Sequence, residues 1–193
     1  VVKDPYSGEM TGNVLAVKGF LEKRDKRFDK SMRGYYKVTG IAKEGQEQFI
    51  ADSVCKVRSV ILQKFGVDIA QEFFTHIDFA QAYRVDGPSA GVTMTILLCS
   101  LLEGKPIRQD VAVTGEINVG VHDIVPVTAV GGVHEKIKAA EHWGFKKVIV
   151  PAKNYKHSID PRDYNIAVVS GETLDDYLRE CLVNPDEKSI KKN

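Results

Sequence analysis

The chain has 193 residues, 43% of them hydrophobic and 27% charged, with a formal net charge of +1. That length can bury a sizeable core as one large domain, and the near-neutral balance gives no electrostatic case for nucleic acid or membrane binding as the main role. No apolar run reaches the ~18 residues needed to span a bilayer, and three widely spaced cysteines, Cys55, Cys99 and Cys181, read as reduced thiols of an intracellular protein.

The opening Val1-Val2-Lys3-Asp4-Pro5 is neither a signal peptide nor a Met start and reads as the beginning of a fragment. Residues 13–19 and 34–40 read as strands, and the stretch 22–33 between them carries six Lys/Arg against three Asp/Glu. Its mixed signs and sparse aromatics fit a solvated hairpin tip better than a basic binding loop. Ile50, Val54, Val57, Ile61 and Phe65 recur every three or four residues, which predicts an amphipathic helix over 44–65 stopped by Gly66. Phe73 to Ala82 reads as an extended segment leading into a Gly87-Pro88 turn. Val92 to Leu102, apolar on nearly every side, reads as a buried helix.

A short strand at 111–114 is followed by a Val- and Ile-rich hairpin or meander over 116–130. A helix over 133–143 with Gly144 as its C-cap comes next, then strands at 147–150 and 166–169. The last helix opens near Thr173 and holds Leu174, Tyr177, Leu178 and Cys181 on its apolar side. There is no internal repeat. Mixed strands and helices predict one α/β (α+β) domain over 13–183, between a leader at 1–12 and a polar, frayed tail at 184–193.

Two residues stand out chemically. Ser89 follows Gly87-Pro88 at the head of the buried helix, where backbone amides and the positive dipole end favour a developing oxyanion. A serine there also reads as a helix cap, and on this feature alone the cap is the simpler reading. Lys136 falls inside the apolar arc formed by Val133, Ile137, Ala139, Ala140 and Trp143, while His134, Glu135, Lys138, Glu141 and His142 lie opposite. Desolvation lowers the pKa of an ammonium on such a face and suits it to act as a base. A stem snorkelling over the helix edge explains the position equally well.

Other chemistries find less support. Ser89 lacks the Gly-x-Ser-x-Gly elbow, no cysteine sits in a turn-to-helix setting beside a basic partner, and no Gly-x-x-x-x-Gly-Lys-Ser/Thr nucleotide loop is present. The five histidines never form His-Glu-x-x-His, and His76-x-Asp78 and His122-Asp123 read as structural or surface groups rather than metal ligands.

The blocks Asp86-Gly87-Pro88-Ser89-Ala90-Gly91, Thr114-Gly115-Glu116 and Gly131 to Ala140, taken in this order, resemble the proteolytic domain of Lon proteases, and the likeness runs from about Asn13 to Leu182. The resemblance implies the α/β Lon proteolytic fold, related to the second domain of ribosomal protein S5. It also implies a serine endopeptidase with a Ser89–Lys136 dyad. Thr114 would orient the lysine, Asp86 would lie beside the nucleophile, and Glu116 matches the motif without an assigned role.

Further implications are unfolded or damaged polypeptides as substrates, a homo-hexamer in the full-length protein, and a prokaryotic cytoplasm or organelle matrix as location. ATP and Mg would belong to an upstream AAA+ module, with no cofactor in this chain. Two departures accompany the resemblance. The segment His76 to Arg84 lacks the Pro-Glu-Gly stretch of many bacterial and mitochondrial members, and the span from Glu116 to Gly131 is longer, with Val127 to Val130 as the surplus. Rival readings are a small-molecule kinase of the same fold, holding phosphate at the Gly87–Gly91 turn, and a domain inactive in isolation that serves ring assembly or interaction.

Overall fold

The computed structural model describes residues 2–3, 10–25, 35–40, 47–79, 87–121 and 123–183, with the side chains of 2–3, 47–50 and 87–88 left aside. Among the described residues it is a mixed α/β arrangement of five α-helices and four small sheets, as the pattern predicts. Strand β1 (Val2–Lys3) pairs antiparallel with β2 (Met10–Thr11). Strand β3 (Val17–Lys23) begins later than expected, because the Asn13 side chain accepts the Val14 N–H at 2.9 Å and turns the backbone locally before the ladder starts.

Strand β4 (Tyr35–Thr39) does not form a hairpin with β3. Strand β5 (Phe73–Phe79) lies between them, antiparallel to β3 and parallel to β4. The reason is β5 itself: Thr75, Ile77 and Phe79 are buried on one face, and a β3–β4 hairpin would leave an edge of this, the most buried strand of its sheet, unpaired. Most of the basic run expected at the hairpin tip, 26–33, lies outside the described residues.

Helix α1 (Glu47–Phe65) follows its predicted period, burying Val57, Val60 and Ile61 and ending at Gly66, whose φ is 64°. Helix α2 (Gly91–Glu103) runs through the same large core, where Val92, Met94, Ile96, Leu98 and Cys99 are buried. Gly19 of β3 packs directly on α2, since a Cβ there would lie 2.8 Å from Leu97 Cδ2. No helix among the described residues is long and apolar enough to cross a membrane.

The second sheet is parallel: β6 (Val111–Val113) and β10 (Ala167–Gly171) flank β9 (Lys147–Pro151). Its central strand serves two cores. Ile149 belongs to the large cluster with α2, while Val148 and Val150 join a smaller cluster with Val133, Ile137 and Ala140 of α3 (Val133–His142). Trp143 departs from the predicted arc and is 62% exposed. It occupies the C-cap, and the chain leaves the helix there through left-handed Gly144, so its side chain no longer follows the helical face. Helix α4 (Ala152–Ser158) was not foreseen: it is seven residues long, buries none of them, and so leaves no periodic signal.

The predicted hairpin over 116–130 is present as β7 (Glu116–Ile117) antiparallel to β8 (Val127–Thr128), with a further bridge between Val121 and Ile124. The residues read as surplus are built into the fold. Val127 is buried in β8, and the Asn154 side chain accepts the Val130 N–H at 2.9 Å and donates to its carbonyl at 3.0 Å. All three cysteines are free. Burial pushes the Cys99 and Cys181 thiols up to about 12, whereas Cys55 of α1 is exposed.

Helix α5 (Leu174–Cys181) starts in a capping box in which Thr173 Oγ1 accepts the Asp176 N–H at 3.4 Å and Asp176 Oδ2 accepts the Thr173 N–H at 3.0 Å. Thr173→Ala is expected to cost about 1 kcal/mol in a denaturant titration. Bonds from the Thr173 amide foremost, and from the Glu172 amide, hold the Asp176 carboxyl below the ordinary aspartate range. A depressed carboxyl stabilises the fold above its unfolded pKa of about 4, and that contribution is lost as pH falls through the folded value. Thermal melts of wild type and Asp176→Asn should therefore differ at pH 7 and converge toward pH 3.

Candidate active site

Ser89 sits in a 3₁₀ turn, Gly87–Ala90, that runs straight into α2. The N-cap position of α2 falls on Ala90 (φ −88°, ψ −6°), so Ser89 is not the capping residue that its sequence position suggested. The turn is held from outside. Gly115 N–H donates to the Ser89 carbonyl and Val92 N–H donates to the Gly115 carbonyl, both at 3.3 Å. One residue thus clasps the backbone on both sides of the turn.

Only glycine fits at that clasp. A Cβ on Gly115 would lie 2.5 Å from Val127 Cγ1 and 3.3 Å from both Tyr177 Oη and Val92 Cγ1. Gly91, at the head of α2, is similarly confined: a Cβ there would meet Ile117 Cγ2 at 3.0 Å and Ser53 Oγ at 3.1 Å. The turn therefore rests on α1 and β7 together.

Thr114 is 7% exposed and anchored at both backbone groups. Its N–H donates to Ile149 O at 3.1 Å, and its carbonyl accepts the Tyr177 hydroxyl at 3.0 Å. Tyr177, fully buried, fits because Gly171 has no side chain; a Cβ there would lie 2.4 Å from the ring. Glu116 receives Lys56 Nζ on Oε1 at 2.6 Å and Thr128 Oγ1 on Oε2 at 3.4 Å.

Lys136 is half-buried in the first turn of α3, and its N–H donates to Gly132 O at 3.1 Å. Gly132, the N-cap, takes a left-handed φ of 62°. The helix packs on the Val148 and Val150 side of β9, and Ile149 of the same strand holds Thr114. Strand β9 thus carries both Thr114 and the Lys136 helix. The chain after β2 presses on α3 as well, since a Cβ on Gly12 would lie 1.9 Å from the Glu135 carbonyl oxygen.

The structure thus brings Ser89, Thr114 and Glu116 into one backbone-linked unit and places Lys136 on a helix sharing a scaffold strand with it. Asp86 and the segment 80–86 lie outside the described residues, as does His122. Lys56 and Tyr177 were not singled out as parts of the site by sequence reasoning. Lys56 is 60 positions from Glu116 and Tyr177 is 63 from Thr114, and no local pattern links residues so far apart.

His76 and Asp78 serve the β4–β5 pairing. Thr39 Oγ1 donates its one proton to Asp78 Oδ1 at 2.6 Å, so the His76 Nε2 that it meets at 2.8 Å is the donor of that contact. Among the described residues no group of three or more His, Cys, Asp or Glu is gathered as a metal site.

Comparison with known proteins places the chain in a family. A family model described as the Lon protease (S16) C-terminal proteolytic domain matches residues 7–184. Lon protease 3 of Sorangium cellulosum is 39% identical over 163 residues, covering 82% of this chain and 19% of that protein. The archaeal Lon protease of Thermoplasma acidophilum is 34% identical over 188 residues, covering 96% of this chain and 27% of that protein. Lon protease 2 of Bacillus subtilis is 35% identical over 164 residues, covering 79% of this chain and 28% of that protein. The chain thus spans between about a fifth and about three tenths of the length of these relatives. With the family match running over nearly its whole length, the chain belongs to the Lon protease (S16) C-terminal proteolytic domain family.

Proposed function

We propose that this chain is a serine endopeptidase domain acting on unfolded polypeptides, with Ser89 as nucleophile and Lys136 as general base. The observation that carries the reading is the Gly115 clasp, which ties the Thr114-Gly115-Glu116 block to the turn bearing Ser89. The placement of Lys136 supports the rest: it is half-buried on an otherwise apolar face of α3, the helix that packs on the strand holding Thr114.

In the reaction, neutral Lys136 Nζ takes the proton from Ser89 Oγ as the oxygen bonds to the scissile carbonyl carbon. The tetrahedral oxyanion is met by backbone amides of the Ser89 turn. Val92 N–H is committed to Gly115 O, so the donors come from amides upstream of it. Collapse of the intermediate breaks the C–N bond, and Lys136 gives its proton to the leaving amine. Water, deprotonated by Lys136, then hydrolyses the acyl-enzyme and frees Ser89. Thr114 holds the ammonium while it is charged. ATP and Mg²⁺ act in a separate upstream module, and the full-length protein works as a homo-hexameric ring in a prokaryotic cytoplasm or organelle matrix.

A fluorophosphonate probe tests the assignment. Wild-type chain is expected to carry one adduct, mapped by peptide mass to Ser89, and Lys136→Met to label far more slowly. An unlabelled wild type, or labelling at full rate in Lys136→Met, would sink the dyad.

A further inference from the structure

The two bonds of the Gly115 clasp are long. At 3.3 Å each, they sit beyond the usual N–H···O range of about 2.7–3.2 Å and hold the Ser89 turn only loosely by themselves. A tighter tether lies one residue further along. Lys56 Nζ on α1 donates to Glu116 Oε1 at 2.6 Å, with the two side chains 32% and 24% exposed, so the pair is partly screened from water. The other carboxylate oxygen accepts from Thr128 Oγ1 at 3.4 Å, and that hydroxyl accepts from Asn118 Nδ2 at 3.3 Å.

Glu116 is thereby fixed from α1 on one side and from the β7–β8 hairpin on the other. One turn earlier on α1, Ser53 abuts Gly91 at the head of α2, as does Ile117 of β7. The Ser89 turn sits between these two elements, and the ion pair ties α1 to β7. We propose that Lys56 is a positioning residue for Ser89, acting through Glu116 to set where the Thr114-Gly115 segment meets the turn. Lys56 touches no reacting atom.

This role rests on Ser89 being the nucleophile, and one assay separates the two claims. Peptide hydrolysis and thermal melting are measured for wild type, Ser89→Ala, Lys56→Met, Glu116→Gln and the Lys56→Met/Glu116→Gln double variant. Methionine keeps the apolar stem of the lysine, so packing on α1 is retained. Lys56→Met and Glu116→Gln are each expected to lower kcat by about ten- to a hundredfold with KM unchanged, because a small misplacement of reacting groups costs that much. The double variant should be no worse than either single one, the mark of residues acting as a unit. Wild-type kcat in Lys56→Met, additive losses in the double variant, or a loss that tracks only the melting temperature or KM would each overturn the positioning role. Hydrolysis that survives Ser89→Ala would instead overturn the nucleophile assignment beneath it.

Discussion

Ser89→Ala is expected to reduce hydrolysis of an unfolded polypeptide by at least about a thousandfold, the scale on which removal of a nucleophile or its base is felt. The melting temperature should stay near that of wild type, since Ser89 is neither the cap of α2 nor a member of either core. Lys136→Met should match this loss, because it removes the base and keeps the stem that lies on the apolar side of α3. Lys136→Arg should also be inactive: a guanidinium stays protonated at any working pH and cannot take the serine proton. Paired rates within a factor of about ten for the Ser89 and Lys136 variants would be the signature of one functional unit. Near wild-type turnover in Lys136→Arg would show that the lysine acts through charge alone and end its assignment as base.

The largest effect on stability is expected at Tyr177. Its side chain is fully buried, its ring fills the space that Gly171 leaves, and its hydroxyl donates to the Thr114 carbonyl at 3.0 Å. Tyr177→Ala opens a cavity beneath Thr114 and should cost about 3–5 kcal/mol. That is a large part of the ~5–15 kcal/mol that holds a typical domain together. Tyr177→Phe keeps the ring and strands one carbonyl, so it should cost about 1–3 kcal/mol. Burial pushes the phenol well above its ordinary pKa, with Cys181 and Asp176 adding to the shift, so the hydroxyl stays a donor throughout the working range. Denaturant titrations of both variants check the ordering. Equal costs for Phe and Ala would mean that the hydrogen bond, and not the ring, is what matters.

Much of the architecture was legible because it is local. The three- and four-residue spacing from Val54 to Phe65, the all-round apolar run of α2 and the apolar side of α5 at Leu174, Tyr177, Leu178 and Cys181 each report a helix through neighbours on one turn. Ser89 and Lys136 were legible as unusual residues in such settings, although each admitted a bland reading. The order β3-β5-β4 was not readable, because it depends on which strand most needs two partners rather than on which strands are adjacent in sequence. Helix α4 gave no signal since none of its residues is buried. Trp143 misled because helical periodicity was carried one residue past the last turn. Lys56 stayed hidden among ordinary charged positions of α1, and only the tertiary fold turns it toward Glu116.

Strand β9 also constrains the order of folding. Thr114 hangs on Ile149, and the Lys136 helix rests on Val148 and Val150, so neither can take its place before residues 147–151 are laid between β6 and β10. Parallel pairing of segments separated by whole helices is slow and late, because long loops must close before any ladder forms. On the proposed dyad, cutting power is therefore acquired only when the second sheet is complete. A half-made or half-melted copy of the chain would be available as a substrate before it could act as a protease.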